Sequence, residues 1–381
     1  MSRPLIYLDH NATTPLDADA EAAMVAAGRQ AFANPGSRHA AGRTARNALE
    51  AAREQVASLL GARPVEVVFT SGGTESNTLA LIGLTAGRAG VFLAPRGEHP
   101  SIEETLRRLE RVDWLRETLT VDNQGRIVTP RLAEEQWARV GLCTLLLAHN
   151  ETGVVQDVSR LAAECRSRSI PFHLDGVQAI GKIPVDFQAL GATTLSIGAH
   201  KFYGPRGIGA LLVRDGTQLR SLLVGGHQER ERRAGTEPVA LAVGLAAALD
   251  QAVRSMATTA VRIATLRDQL ASRLTELCSP LVVHGVDAPR LPNTLNVGFP
   301  DCDGEALLVA LDLEGVCCSL GSTCASGASE PSPMLLAMGV SRDLALASVR
   351  FSLGRDNTVD EIEEAARRIA MIVRRQRATA R

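Results

Sequence analysis

Apolar positions recur at helical spacing over residues 38–60, which predicts one amphipathic helix there. A β-branched run at 65–70 follows and predicts a strand. It opens into Ser71-Gly72-Gly73-Thr74-Glu75-Ser76 and a further helical stretch. More strands are predicted at 90–95, 142–148, 170–174, 193–198 and 208–213, most of them separated by helical segments such as 101–110 and 158–168. Strand and helix alternating in this way is the signature of a mostly parallel sheet with helices on both faces. Residues 257–278 predict a long helix that leaves this unit. Beyond it, strands at 281–283 and 293–298 mix with helices at 304–314 and 359–377, the pattern of a smaller α+β domain. The expected division is a large α/β domain over 15–256 and a small domain built from 1–14 and 257–381.

Composition narrows the classes. Apolar residues make up 45% of the 381 and aromatics only 3%, so a sizeable core must be built from Ala, Leu, Val and Ile. The formal charge of −1 gives no general attraction to nucleic acid or to an anionic membrane. No apolar stretch is read as approaching the roughly 20 residues of a membrane span, and Asp9 comes too early for a signal peptide. The seven cysteines, Cys143, Cys165, Cys278, Cys302, Cys317, Cys318 and Cys324, are scattered and odd in number. They read as reduced thiols of a cytoplasmic protein. The 317–324 cluster lacks a standard metal spacing.

Lysine usage changes the picture most. The chain holds two lysines, Lys182 and Lys201, among 41 basic residues; the others are arginine. A lysine can lose its proton when desolvated and form a Schiff base, whereas an arginine stays charged. Lys201 follows an apolar run and His200, with glycines after it, which places it at the end of a buried strand. Other polar residues fall at strand ends too: Thr74, His99, His149-Asn150, and Asp175 with Gln178. Parallel strands run the same way, so these ends share the sheet edge where open α/β folds bind ligands.

Ser71-Gly72-Gly73-Thr74, between a strand and a helix, reads as a phosphate cradle, in which Gly73 allows close backbone approach and the helix N-terminus offers free N–H groups. It is neither a G-x-G-x-x-G fingerprint nor a P-loop. A phosphate cradle, an acid and a Schiff-base lysine on one edge point to pyridoxal phosphate. That cofactor needs a lysine for its aldehyde and an acid to keep its ring nitrogen protonated. Asp175 fits the acid, Gln178 a donor to the ring hydroxyl, and His99 a stacking partner. Two further features lie in the second domain. The Gly/Ser-rich stretch Ser319–Gly327 carries Cys324 on a loop expected to be exposed and reactive. The run Val349-Arg350-Phe351-Ser352 places an arginine fork where it can clamp a substrate carboxylate.

These motifs resemble a known family. From Tyr7-Leu8-Asp9-His10-Asn11-Ala12-Thr13-Thr14-Pro15 to Val349-Arg350-Phe351-Ser352-Leu353-Gly354-Arg355 the chain resembles the group I cysteine desulfurases of the NifS/IscS type. These are class V aminotransferase-like enzymes of the fold type I, aspartate aminotransferase-like architecture. Asn34-Pro35-Gly36-Ser37-Arg38-His39 and His200-Lys201-Phe202-Tyr203-Gly204-Pro205 carry the same resemblance. It implies that Lys201 holds the cofactor, that His99 stacks on its ring, and that Asp175 pairs with the ring nitrogen. Gln178 and Asn150 would lie on the ring-oxygen side. Thr74 and His200 would hold the phosphate, and Thr236 would serve the phosphate of a partner subunit in a homodimer. Arg350, Asn150 and Asn34 would bind L-cysteine, and Cys324 would accept its sulfur for delivery to an acceptor protein, in iron–sulfur cluster assembly or another thiolation pathway. Three departures stand out: Gly198 where the family often has serine, Glu237-Pro238 after the phosphate threonine, and an end at Arg381 that weighs against docking an iron–sulfur scaffold. The rival readings are a selenocysteine lyase or another Cα–S lyase on the same fold, and a sulfur-relay scaffold that only binds the cofactor.

Overall fold

The computed structural model describes residues 4–320 and 330–379. Seven strands form the central sheet in the order Val67–Thr70, Gly209–Val213, Thr194–Gly198, Phe172–Asp175, Val140–Leu146, Gly90–Pro95 and Trp114–Leu119. Gly209–Val213 runs against both of its neighbours and every other pairing is parallel. Thr194–Gly198 and Gly209–Val213 are buried along their whole length. Gly209–Val213 reads as the continuous apolar run expected of a strand covered on both faces, whereas Thr194–Gly198 alternates Leu195 and Ile197 with the buried hydroxyls of Thr194 and Ser196. The edge strand Trp114–Leu119 was not expected. Its middle positions are Leu115, Arg116, Glu117 and Thr118, partly or fully exposed, so it carries no apolar run.

Helix Ala18–Gln30 was also not expected; Asp17 caps it, accepting from Asp19 and Ala20 amides at 2.9 and 3.0 Å. The long helix begins earlier than expected, running Val239–Cys278 over 40 residues. Its first half is apolar all round because it packs into the large-domain core, so no helical period shows there. By length and composition it is apolar enough to cross a membrane, which corrects the sequence reading. In this fold its apolar positions serve two cores. Ala242, Leu245, Ala246 and Leu249 pack under the large sheet, while Ile263, Leu266, Leu270 and Leu274 pack under a second, smaller unit.

That smaller unit is an antiparallel sheet in the order Ser319–Leu320, Ser348–Ser352, Thr294–Gly298 and Val282–Val283, backed by helices Gly304–Leu313 and Val359–Thr379. Ile6–Tyr7 pairs with Val316–Cys317, and Asp9 bridges to Ser352. A few residues later the same segment bonds to the large unit, Thr14 N to His200 O at 3.0 Å and Asp17 N to Tyr203 O at 2.9 Å. Residues 9–17 therefore cross the junction directly over the carboxyl ends of the central strands.

Candidate active site

Thr194–Gly198 ends in a single tight turn, Ala199–Lys201. Gly204 closes that turn, and a Cβ there would lie 2.8 Å from the Ala199 Cβ, so only glycine fits. The turn presents Lys201 Nζ to the crossing segment, where it donates to Asn11 O at 2.6 Å and Ala12 O at 2.7 Å. Both acceptors are neutral carbonyls. Burial, reinforced by the positive charge of Arg350, lowers the lysine pKa to about 8, with Asp175 and Asp9 pulling the other way. At neutral pH this amine is far closer to its nucleophilic form than an exposed lysine.

Asp175 closes its strand and is 2% exposed. Oδ1 accepts from the Val177 amide at 3.0 Å, and Oδ2 accepts from Asn77 Nδ2 at 2.7 Å. His99 caps helix Pro100–Glu110. Its Nδ1 accepts from Ser101 N at 3.1 Å and lies 2.8 Å from Ser101 Oγ. Burial holds its pKa below the usual histidine range, opposed by the Asp175 charge and assisted by Lys201. Asp175, His99 and Lys201 thus act on one another electrostatically.

The glycine-rich turn lies beside them. Gly72 precedes helix Gly73–Thr85 and no side chain caps that end. Thr74 is exposed in the first turn. A Cβ on Gly73 would strike Val177 Cγ2 at 2.7 Å, whereas one on Gly72 would meet nothing within 4 Å. Gly198 faces the same space, since a Cβ there would stand 3.7 Å from the Gly73 nitrogen. An open helix N-terminus of this kind favours an anion. His200 adjoins it, with Nδ1 3.2 Å from Thr13 Oγ1, and its pKa is pushed down to about 4 by burial and then by Lys201.

Gln178 donates through Nε2 to Asn11 O at 2.9 Å and accepts through Oε1 from Lys182 Nζ at 2.7 Å. Lys182 also donates to Asn11 Oδ1 at 2.9 Å. Asn11, 1% exposed, reaches Thr294 Oγ1 at 2.9 Å and the Asn150 carbonyl at 3.2 Å through Nδ2. Arg350 is 6% exposed in Ser348–Ser352. Nη2 pairs with Asp9 Oδ1 at 2.7 Å and Nη1 donates to the Asn150 carbonyl at 3.1 Å, while Nε is buried with no partner among the described residues. Asp9 Oδ1 also accepts from Ser319 Oγ at 3.0 Å.

Not every residue singled out in the sequence joins this cluster. Asn150 meets Arg350 through its main-chain oxygen rather than its amide. Asn34 is exposed and its Oδ1 accepts from the Gly36 amide at 2.8 Å, the mark of a local turn. Thr236 is exposed beyond Arg233, whose Nε pairs with Glu75 of helix Gly73–Thr85 at 2.9 Å. Cys324 lies outside the described residues. Sequence reasoning gave no role to Asp9, Asn11, Asn77 or Lys182. The signals were there for three of them, in the Asp9-His10-Asn11 run and in the rarity of lysine.

The cluster combines an amine poised to condense with a carbonyl, an anion cradle, a buried carboxylate and a guanidinium with a spare buried donor. Comparison with known proteins agrees with that chemistry. Residues 6–364 match the aminotransferase class-V family. A cysteine desulfurase IscS of Dictyoglomus turgidum is 39% identical over 360 residues, spanning 94% of this chain and 91% of that protein. An IscS-like cysteine desulfurase of Mycobacterium tuberculosis is 37% identical over 388 residues, 99% of this chain and 98% of that one. A NifS-like protein from Rickettsia africae superposes with a TM-score of 0.87 at 31% identity, covering 97% of this chain and 99% of that chain. SspA, solved in complex with cysteine, gives 0.79 at 31% identity over 92% and 99%. The mostly parallel sheet with its smaller α+β unit is the fold type I architecture of these enzymes, and the chain belongs to the class-V aminotransferase family, in its cysteine desulfurase branch.

Proposed function

We propose that this protein converts L-cysteine into L-alanine with pyridoxal phosphate held by Lys201, passing the sulfur as a persulfide to Cys324 and from there to an acceptor protein. The observation that carries the reading is Lys201, the one amine at the carboxyl edge of the sheet held solely by main-chain carbonyls and set among Asp175, His99 and Arg350. Pyridoxal phosphate would lie with its phosphate at the first turn of Gly73–Thr85, near Thr74 and His200, its ring beside His99 and its nitrogen toward Asp175. Gln178 would face its ring oxygen. Bound there, it supplies the electron sink that lets the substrate Cα–H bond ionise.

The remaining work falls to the chain. Arg350 uses its spare Nε and the fork shared with Asp9 to bind the substrate carboxylate. Lys201, with a pKa near 8, carries the proton away from and back to carbon. The Cys324 thiolate attacks the substrate sulfur. The C–S bonding pair then returns to the substrate and is protonated there, leaving alanine and a Cys324 persulfide. We further assign the enzyme to the cytoplasm and to a homodimer in which exposed Thr236 serves the partner's phosphate site.

The test is a single turnover with L-cysteine. One alanine per site, with a 32 Da mass gain confined to the peptide carrying Cys324, is the expected result, the added mass being one sulfur atom by the stoichiometry of persulfide formation. Alanine release with sulfide set free directly, and no modified Cys324, would overturn it in favour of a Cα–S lyase.

A further inference from the structure

One buried side chain outside the roles assigned above touches Asp175 directly and reaches His99 through Ser101, the two groups that would bracket the cofactor ring. Asn77 lies one helical turn past Thr74, is 1% exposed, and uses both of its N–H donors and its oxygen in buried contacts. Its Nδ2 donates to Asp175 Oδ2 at 2.7 Å and to Ser101 Oγ at 2.9 Å, and its Oδ1 lies 3.1 Å from His173 Nε2. Asp175, Ser101 and His173 are themselves buried.

Donor and acceptor counting fixes every proton in this chain of contacts. An amide oxygen has no hydrogen, so His173 Nε2 is the donor to Asn77. His173 is kept neutral by burial, its pKa lowered to about 3, so its Nδ1 is the acceptor, 2.9 Å from Thr194 Oγ1. That anchors the amide with its oxygen toward His173 and its nitrogen toward Asp175. Turned over, it would set a carbonyl against a carboxylate and leave His173 Nε2–H facing an NH2 group. On the other branch, Ser101 Oγ accepts from Asn77 and lies 2.8 Å from His99 Nδ1, to which it donates because that nitrogen holds no proton. Nδ1 also accepts the Ser101 amide at 3.1 Å and therefore carries no proton. The ring proton of His99 sits on Nε2.

We infer that Asn77 is a positioning residue that sets Asp175 and His99 as one unit, aiming the carboxylate toward the ring nitrogen and, by orienting the Ser101 hydroxyl, reinforcing the Nε2–H tautomer that the Ser101 amide favours. The inference rests on the roles given to Asp175 and His99 above. A packing residue would satisfy the burial, but it would not orient the hydroxyl that supports one tautomer of a histidine two bonds of the network away.

The experiment uses the full-length protein with 15N-labelled histidine, His99 being assigned by comparison with His99→Gln. Nitrogen shifts report the tautomer without added cofactor, and fluorescence titration of the cofactor-stripped protein reports pyridoxal phosphate affinity. Native protein is expected to show His99 as Nε2–H. Ser101→Ala, which keeps Asn77 and Asp175 in place, is expected to mix the tautomers with less than threefold loss of affinity. Asn77→Ala is expected to mix them and also to weaken pyridoxal phosphate binding at least tenfold. Asn77→Asp, which sets a second carboxylate beside Asp175, is expected to weaken it further. An unchanged His99 tautomer in both Ser101→Ala and Asn77→Ala would overturn the inference. So would Asn77→Ala binding the cofactor normally while Asp175→Asn does not. If Asp175→Asn also binds it normally, the reading of the site falls with it.

Discussion

Arg350 reaches Asp9 at 2.7 Å, a contact between a small-domain strand and the segment that crosses to the large domain, and it does so while keeping Nε buried and without a partner among the described residues. A guanidinium held in this way is pre-aimed, with one donor in reserve for a ligand carboxylate. Replacing it by lysine keeps a charge but loses the fork. Arg350→Lys is expected to raise the KM for L-cysteine by roughly 10- to 150-fold, the range that corresponds to one charge-assisted hydrogen bond of about 1.5–3 kcal/mol. Steady-state kinetics check it; an unchanged KM places the carboxylate elsewhere.

Lys201 gives a pH dependence with a definite sign. Its pKa in the folded protein is about 8, below the ordinary lysine value, so the free amine appears as pH rises through 8. The rate at which cofactor-free protein couples pyridoxal phosphate, trapped by borohydride, should rise with a midpoint near pH 8. Arg350→Ala removes a positive neighbour and should move the midpoint up; Asp175→Asn removes a negative one and should move it down. For this group alone, stability should grow from about pH 8 toward the unfolded value, where the unfolded chain still holds the proton that the folded chain has lost. A midpoint above 10 would contradict the burial that the geometry shows.

Gly198 faces the open N-terminus of Gly73–Thr85, and a Cβ there would come within 3.2 Å of Val177 Cγ1. Val177 must give by a few tenths of an ångström, and a serine hydroxyl then adds one donor to the anion cradle. Gly198→Ser is expected to slow cofactor dissociation, by at most roughly 10- to 150-fold from a gain of about 1.5–3 kcal/mol. Faster loss of cofactor would mean that the backbone at Gly198, rather than the missing hydroxyl, matters.

Cysteine substitutions separate sulfur transfer from direct lysis. Cys318 is half-buried and its thiol is pushed well above the usual range, first by desolvation and then by Asp9, so it is a poor nucleophile at neutral pH. Cys318→Ser should keep most turnover. Cys324→Ser should still bind L-cysteine and release almost no alanine, because a hydroxyl is a far weaker nucleophile than a thiolate. Alanine quantified in a single turnover decides between them; normal release by Cys324→Ser would establish a lyase.

The sequence announces what is buried on both sides and what sits at the end of a run. Gly209–Val213 is legible as an apolar stretch, and Lys201 is legible because it follows the Leu195 and Ile197 strand in a chain that otherwise uses arginine almost throughout. Trp114–Leu119 is not, since its exposed edge needs no apolar alternation. The first half of Val239–Cys278 is not, since a helix buried all round shows no period. Asn77 escapes for a different reason. It carries no distinctive residue type and acts by touching other side chains, a property that exists only once the chain has folded.

Lys182 and Lys201 both donate to Asn11, one to its side chain and the other to its carbonyl. They are also the only two lysines in the chain. Within this sequence, amine-seeking probes therefore find side-chain amines only at Lys182 and Lys201, both on Asn11. The arginine-coated exterior gives no foothold to acetyl or ubiquitin-like tags on lysine. A side-chain amine mark on this sequence therefore reports on the Asn11 contact network of the candidate site.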